Sequence, residues 1–281
     1  MYNKGTMIQW FPGHMAKALN QLREKQSLAD LFIIVLDSRA PISSYNAEFD
    51  DIAPQKPRLF VITKKDYADE NKLSNIVEHY RNDVDDCIVV NLKQKAAAKR
   101  IVKKAEKMLE AKRLRDTNRG ILKPRLRAFV VGVPNAGKST LINALANKPS
   151  AKVGNMPGVT KGQQWVNTGK IQLLDTPGIL WPRFEDELTG VKLAIIGSVK
   201  TDVIPPLELV YSGYKLLTTY YPEKLEAIGL KPSDDTKEIY SEMMRFCEVK
   251  KFKRQGDKPD MDKAQRWFIN YLRDLKGVTY D

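Results

Sequence analysis

A glycine-rich segment of the chain has the composition and spacing of a phosphate-binding loop. It reads GVPNAGKST and places Gly132, Gly137, Lys138 and Ser139 in the pattern G-x-x-x-x-G-K-S. Glycine lets backbone N–H groups turn towards phosphate oxygens at the positive end of the following helix. In such loops the lysine contacts the β- and γ-phosphates and the serine hydroxyl binds Mg²⁺. An apolar run precedes the motif and a helical pattern follows it, as this chemistry requires.

Two downstream segments complete the predicted magnesium and γ-phosphate site. IQLLDTPG reads as a strand that ends in Asp175-x-x-Gly178. Asp175 would hold the Mg²⁺ shell, and the Gly178 amide would contact the γ-phosphate. Thr160, in GNMPGVTKG, is the candidate that completes the shell when the γ-phosphate is present; it and Lys138 are predicted to be catalytic. The residues predicted to bind nucleotide here are Asn135, Ala136, Gly137, Lys138, Ser139, Thr140 and Gly178, and those predicted to bind Mg²⁺ are Ser139, Thr160 and Asp175.

The stretch FVITKKD at residues 60–66 ends as a guanine-reading loop would. The Asp66 carboxylate can accept hydrogen bonds from guanine N1–H and the 2-amino group together, a donor pair that adenine lacks. The Lys64 stem would lie along the base, and the Thr63 hydroxyl can tie this loop to the phosphate loop. The next strand, DCIVV, ends in a loop whose backbone could contact guanine O6; the alternative for the first loop is a surface turn after a buried strand. The predicted base-binding residues are Thr63, Lys64, Lys65, Asp66, Asn91, Leu92 and Lys93.

The parts of a GTP site are complete, but the base loops precede the phosphate loop. A doubly wound α/β domain whose natural ends lie close together can be joined there and cut elsewhere. The join would be residues 93–127, with a helix over 94–115, and the cut would follow the Asp-x-x-Gly segment. We therefore predict a circularly permuted P-loop GTPase domain with a mostly parallel sheet over residues 1–182, followed by a small all-helical domain over 183–281.

Helices are predicted in the second domain from its apolar periodicity, at about 187–199, 206–220, 235–250 and 260–276. In the last of them an aromatic stripe that includes Trp267 and Phe268 falls on one face, which favours a core position over a base-stacking platform. The opposite face carries basic residues, and KKFKR at 250–254 precedes it. That face is a candidate to meet phosphates.

The net charge of +13 is concentrated in one segment. Residues 183–281 hold 17 Lys+Arg and 17 Asp+Glu, so the first 182 residues carry the excess, 30 against 17. Residues 93–127 alone hold 14 basic and 3 acidic residues, 14 − 3 = +11. Such a concentration favours a polyanion partner over a merely solvated helix face. The residues predicted to contact RNA are Lys99, Lys103, Arg113, Arg115, Lys250, Lys251, Arg266 and Arg273.

Cysteine content and hydropathy indicate the compartment. Only Cys87 and Cys247 are present, and Cys87 falls in an apolar strand-like run, which fits a reducing, cytoplasmic setting. No apolar run approaches the roughly 18 residues of a membrane span, and the start lacks the apolar stretch of a secretory signal. We expect a cytoplasmic protein without a membrane partner that is a monomer in isolation.

Several stretches together resemble the ribosome biogenesis GTPase A family of circularly permuted GTPases. They include IQWFPGHMAKA at 8–18, DSRAP at 37–41, GVPNAGKSTLIN, PGVT and LLDTPGILWPRFEDE at 173–187. The chain departs from the family at Thr63, where asparagine is usual, and at Ser38, where alanine is usual. The resemblance implies Mg²⁺-dependent GTP hydrolysis, activation by the ribosomal particle, a late role in assembly of the large ribosomal subunit, and rRNA and the subunit precursor as partners.

The resemblance also implies two roles near the phosphates. Ile179 and Leu180 follow Gly178, where many GTPases place a water-orienting glutamine. Neither side chain can polarise water, and the family implies that His14 acts in hydrolysis instead; its alternative role is to cap a turn. Asn135 stands where similar GTPases support a K⁺ ion in place of an arginine finger; its alternative is an ordinary polar loop residue.

Three classes of function remain open from the sequence. The first is an assembly GTPase that binds rRNA and hydrolyses GTP on the ribosome. The second is a signalling GTPase that acts on protein partners, which the basic segment disfavours. The third is an RNA chaperone with a vestigial or regulatory nucleotide site, which the intact Lys138, Ser139, Thr160 and Asp175 disfavour.

Overall fold

The computed structural model describes residues 13–121, 126–146, 164–168, 171–180, 184, 186–200 and 203–281. Within these ranges the first part of the chain is a sheet flanked by helices, and the second part is helical. The strands are β1 (Leu31–Asp37), β2 (Arg58–Thr63), β3 (Asp86–Val89), β4 (Leu126–Val131), β5 (Gln164–Asn167) and β6 (Ile171–Asp175). The helices of the first part are α1 (Gly13–Lys25), α2 (Glu70–His79), α3 (Lys95–Met108), α4 (Glu110–Asn118) and α5 (Lys138–Ala146).

The six strands form one sheet in the order β3-β2-β1-β4-β6-β5. All neighbours are parallel except the edge strand β5, which runs antiparallel to β6. The sequence of β1, LFIIVLD, is buried at every position, as expected for a parallel strand that is covered on both faces. The mostly parallel α/β fold predicted from the sequence is confirmed.

The strand order fixes where a ligand can bind. From β1 the chain builds outwards through β2 and β3, and then returns through α3 and α4 to place β4 on the other side of β1. This reversal makes the β1–β4 boundary a switch point, and ligands of open α/β sheets bind outside the carboxyl ends of the strands at such a point. The two strands whose following loops are predicted to bind guanine, β2 and β3, therefore precede β4, which leads into the predicted phosphate loop, as the permuted order requires.

The segment that joins the two halves of the permuted sheet is two consecutive helices rather than the single helix predicted over 94–115. Helix α3 ends at Met108 and α4 begins at Glu110, with Leu109 between them at φ −98° and ψ 6°. Leu109 is buried with Ile101 and Ala105, so its side chain extends the apolar seam across the break. Of the basic residues between these positions, Lys103 and Lys107 are exposed, whereas Lys104 is half-buried and pairs with Asp86 of β3.

The second part of the chain contains five helices among the residues that the structure describes. They are α6 (Glu187–Ile195), α7 (Pro206–Tyr220), α8 (Pro222–Glu226), α9 (Thr236–Val249) and α10 (Met261–Asp274). The sequence prediction found four of them and missed the short α8, which begins with a proline. In α10 Phe268 is buried and Trp267 packs against the core, and Asp260 caps the first turn by accepting a hydrogen bond from the Lys263 N–H.

Apolar packing is continuous between the two parts. One cluster of buried side chains contains Val130 and Leu173 from the sheet together with Leu193, Leu209 and Phe268 from the helices. The second cluster, on the other face of the sheet, is built from residues before position 180. No helix within the described ranges is both long and apolar enough to cross a membrane.

Candidate functional site

The phosphate loop follows β4, and its glycines meet steric requirements. Gly132 and Gly137 have φ of +149° and +105°, a backbone conformation that favours glycine. A Cβ at Gly132 would stand 2.4 Å from the Val35 carbonyl oxygen. The Lys138 ammonium lies under the loop and donates to the carbonyl oxygens of Gly132 and Val133 at 3.0 and 2.9 Å. The loop is thus folded around a buried lysine, as a phosphate cradle is.

Asp175, at the carboxyl end of β6, has the surroundings of a cation ligand. Both of its carboxylate oxygens are buried and have no hydrogen-bond partner among the described residues. Burial raises its pKa to about 6, although Lys138 opposes this rise. Burial also lowers the pKa of Lys138 to about 8, against the attraction of Asp175. A carboxylate in this position fits a hard cation, so Asp175, with Ser139 in the first turn of α5, would hold the Mg²⁺ that the site implies.

The segment after Asp175 runs against the phosphate loop. The Ile179 N–H donates to the Gly132 carbonyl at 3.1 Å. A Cβ at Gly178 would lie 2.7 Å from Pro134 Cα and 2.8 Å from its nitrogen, so this close approach requires glycine. Ile179 and Leu180 are fully buried. The two side chains that occupy the place of a water-orienting glutamine therefore belong to the core.

The base loop at the end of β2 is bonded directly to the phosphate loop. The Thr63 hydroxyl lies 2.6 Å from the Ala136 carbonyl oxygen and 3.1 Å from that of Leu36. The Lys64 ammonium donates to the Asn135 carbonyl at 2.9 Å. The link that the sequence predicted for the Thr63 hydroxyl is thus present, with threonine in the position where the family usually has asparagine.

The second base loop lies beside the first. The Lys65 N–H donates to the Val90 carbonyl at 3.2 Å, and the Lys93 ammonium pairs with Asp66 at 3.4 Å. Asn91 shapes the second loop by accepting a hydrogen bond from the Lys93 N–H at 2.9 Å, and Leu92 packs against the core. The geometry therefore brings Asp66 to the same place as Asn91, Leu92 and Lys93, next to the phosphate loop.

A buried cluster of charged side chains at the carboxyl end of β1, which the sequence did not indicate, lies in this site. Arg39 binds the Asp37 carboxylate through Nε and Nη2, at 2.9 and 2.7 Å, and Lys64 binds the same carboxylate at 2.5 Å. Burial alone would raise the pKa of Asp37, but attraction to Lys64 and Arg39 holds it well below its usual value. The motif DSRAP resembles a motif of the family, but its sequence does not indicate that Asp37 lies beside Lys64. The parallel pairing of β1 with β2 brings these two residues together.

The helical part also contacts the phosphate loop. Asn135 has a backbone φ of +58°. Its side chain donates through Nδ2 to the Gly197 carbonyl at 2.7 Å. The Ser198 hydroxyl donates to the Pro134 carbonyl at 2.7 Å. No local sequence pattern predicts these contacts, since the bonded residues are more than 60 positions apart.

The remaining residues predicted to act in catalysis or nucleotide binding are Thr160, His14 and Thr140. Thr160 lies outside the residues that the structure describes. His14 lies in the first turn of α1, but its side chain is outside the description. Thr140 is half-buried in the first turn of α5.

The residues predicted to contact RNA fall into two environments. Seven of the eight are exposed: Lys99, Lys103, Arg113, Arg115, Lys250, Lys251 and Arg266. The Lys250 ammonium lies 5.5 Å from the ring centres of Phe246 and Trp267. Arg273 differs from the others, because it is half-buried and its guanidinium lies beside Gly197. Its Nε is buried and has no hydrogen-bond partner among the described residues.

Comparisons with known proteins identify similar sequences and a similar fold. A family profile described as "50S ribosome-binding GTPase" matches residues 127–211. The ribosome biogenesis GTPase A of Priestia megaterium is 43% identical over 221 residues, which cover 78% of this chain and 77% of the relative. That of Bacillus licheniformis is 39% identical over 275 residues, which cover 96% and 95%. The solved structure titled "Crystal structure of GNP-bound YlqF from T. maritima" has a similar fold, with a TM-score of 0.65 at 24% identity over 94% of this chain and 97% of that one.

The fold defines a circularly permuted P-loop GTPase, because the segments predicted to bind phosphate, Mg²⁺ and base meet at the carboxyl ends of the strands in rotated chain order. Mg²⁺ is the cofactor that this class implies. Given its identity to relatives over nearly the whole of its length, the chain belongs to the ribosome biogenesis GTPase A family.

Proposed function

We propose that this protein binds and hydrolyses GTP at the carboxyl edge of its sheet and acts in a late step of assembly of the large ribosomal subunit. The observation that supports this most is the convergence of three segments, 63–66, 132–139 and 175–178, joined by the hydrogen bonds of Thr63, Lys64 and Ile179. The names of the relatives supply the ribosomal setting.

The proposed site residues have different chemical roles. Asp66 selects guanine through its paired acceptor oxygens, while Lys138 and the backbone N–H groups of the loop bind the phosphates. Ser139, Asp175 and Thr160 would hold Mg²⁺, which would supply positive charge next to the phosphate oxygens. Because Ile179 and Leu180 are buried, the group that orients the attacking water comes from another segment, and we assign His14 to it.

Two substitutions separate binding from catalysis. Lys138→Ala is expected to weaken nucleotide binding and hydrolysis together. His14→Ala is expected to lower kcat with little change in nucleotide affinity, as for a group used only in the transition state. Acid–base and positioning groups typically contribute about 10²–10⁴-fold. A fall in kcat of less than about tenfold would return His14 to a structural role.

We propose that a K⁺ ion binds near Asn135, which lies in the phosphate loop between Gly132 and Gly137. Its side-chain amide nitrogen is used in binding Gly197, which fixes the orientation of the side chain. Hydrolysis measured in K⁺ and in Na⁺ at equal ionic strength tests the assignment. Equal rates would remove the ion from the mechanism.

We propose rRNA of the large-subunit precursor as the partner of the exposed basic residues. The net charge of +11 over residues 93–127 supports a phosphate-rich partner. The test is co-sedimentation of the protein with separated ribosomal subunits, in GDP or in a nonhydrolysable GTP analogue. Binding to the large subunit that depends on the nucleotide is expected, whereas binding to neither subunit would contradict the proposal.

A further inference from the structure

Arg39 joins the nucleotide site to the helical part of the molecule. Arg39 is 3% exposed, and its guanidinium is bound on one side by the Asp37 carboxylate. On the other side, Nη1 donates to the Arg273 carbonyl at 2.5 Å and Nη2 donates to the Ile196 carbonyl at 3.1 Å. One buried cation thus contacts three separate elements, since Asp37 ends β1, Ile196 caps the end of α6 and Arg273 lies in the last turn of α10.

Both carbonyl groups belong to the carboxyl ends of helices. Ile196 is the capping residue that follows α6, and Arg273 lies in the last turn of α10. Carbonyl groups in the last turn lack partners within the helix and carry the negative end of the helix dipole. A buried cation where two such ends meet a carboxylate is therefore favourable, and it fixes the two helices relative to β1.

The same carboxylate holds the base loop. Asp37 accepts a hydrogen bond from the Lys64 ammonium at 2.5 Å, and Lys64 also donates to the Asn135 carbonyl in the phosphate loop at 2.9 Å. Lys64 has φ +56°, and its own carbonyl accepts a hydrogen bond from the Ser38 hydroxyl at 2.8 Å. The base loop is thus held in an unusual backbone conformation by the residues next to Arg39.

We propose that Asp37 and Arg39 are positioning residues that couple nucleotide affinity to the placement of the helical part. The chain of contacts runs from the ends of α6 and α10 through Arg39 and Asp37 to Lys64, and from there to the phosphate loop. The proposal rests on the guanine site assigned above. A partner that displaces the helices would weaken nucleotide binding, and nucleotide would in turn stabilise the helix ends, because coupling between two sites is reciprocal.

The chain offers a matched control for the test. Arg58 also donates to two main-chain carbonyl groups, those of Phe49 and Asp50, and pairs with the Asp50 carboxylate. It lies at the amino end of β2, the opposite edge of the sheet from the site. Arg39→Met and Arg58→Met therefore remove similar contacts at two ends of the same domain.

The measurement is GDP affinity by calorimetry, together with the unfolding temperature without nucleotide. Arg39→Met is expected to raise the Kd for GDP by tenfold or more, and Arg58→Met by less than twofold, even if both lower the unfolding temperature. An unchanged Kd in Arg39→Met would overturn the coupling. A wild-type protein that does not bind GDP would instead overturn the guanine site itself.

Two further measurements distinguish positioning from a purely structural role. In a Lys64→Met background, where the chain of contacts is already broken, Arg39→Met is expected to add little to the loss of GDP affinity. Losses that simply multiply would contradict the proposal. If Arg39→Met does not fold, hydrogen exchange of the wild type replaces it: GDP is expected to increase protection at the end of α10, and Arg39→Lys to reduce that gain. No change at α10 would overturn the proposal.

Discussion

We propose that selectivity for the base depends on Asp66. It lies at the end of the β2 loop, beside Lys93 of the second loop. Asp66→Asn replaces a pair of acceptors with one acceptor and one donor, so GTP is expected to bind worse by about 1–3 kcal/mol, the cost of an unpaired buried polar group. Xanthosine triphosphate, whose 2-oxo group accepts a hydrogen bond, is expected to gain affinity. Unchanged GTP affinity in a calorimetric titration would show that Asp66 does not read the base.

A second prediction at the scale of a single residue concerns Gly178. Its Cβ position lies less than 3 Å from the backbone of Pro134, so Gly178→Ala must push the segment after Asp175 away from the phosphate loop. Overpacking of this kind typically destabilises by about 1–3 kcal/mol. We expect both a lower free energy of unfolding and a lower kcat/KM for GTP. If chemical denaturation gives an unchanged free energy of unfolding and steady-state kinetics an unchanged kcat/KM, the two segments do not pack closely at Gly178.

At the scale of elements, the predictable features were those set by local pattern. The phosphate loop, the strand ending at Asp175 and α7 were found because glycine spacing and apolar periodicity act within a few residues. The division of the joining helix at Leu109 was missed because neither glycine nor proline marks it. The roles of Arg39 and Gly197 were missed for a different reason, because their partners lie far away in the sequence and only tertiary packing brings them together.

Helix α3 carries the prediction about the polyanion partner. Its seam of Ile101 and Ala105 is buried, whereas Lys99 and Lys103 are exposed. Each phosphate contact releases counterions. The logarithm of the affinity should therefore fall linearly with the logarithm of the salt concentration, with a slope of roughly 0.7–0.9 per contact. Lys99→Glu with Lys103→Glu is expected to weaken binding to large-subunit rRNA and to flatten this slope, as measured by filter binding from low to high salt.

A charge-matched control separates this effect from a change in net charge. Lys231→Glu with Lys237→Glu alters two exposed lysines in the part of the chain whose charges balance, and it is expected to leave the slope unchanged. GTP binding should survive in both double variants. Normal binding of particles by the α3 variant would identify its charge as a solvated face, and loss of GTP binding would identify the helix as a structural clasp of the permuted sheet.

At the scale of the whole molecule, the end of the described chain fastens the helical part to the base loop. Residues 278–281 run between two loops of the sheet: the Val278 N–H donates to the Tyr67 carbonyl at 3.0 Å, and the Tyr280 N–H to the Arg39 carbonyl at 2.6 Å. Together with the shared apolar cluster, these bonds favour one cooperative unit. The division at residues 182 and 183 remains a prediction about sequence organisation, and packing alone does not separate the two parts.

The last prediction concerns this cooperativity. Because buried side chains of both parts form one cluster and Arg39 and Tyr280 cross between them, thermal unfolding is expected to give a single transition. GDP at about 100 times its Kd should stabilise the folded state by about 2.7 kcal/mol. Since the helices unfold with the sheet, the whole transition should move to higher temperature. Calorimetry and hydrogen exchange of α9 and α10 measure this together. Two calorimetric transitions, of which GDP moves only one, would show that the helical part unfolds independently of the nucleotide site.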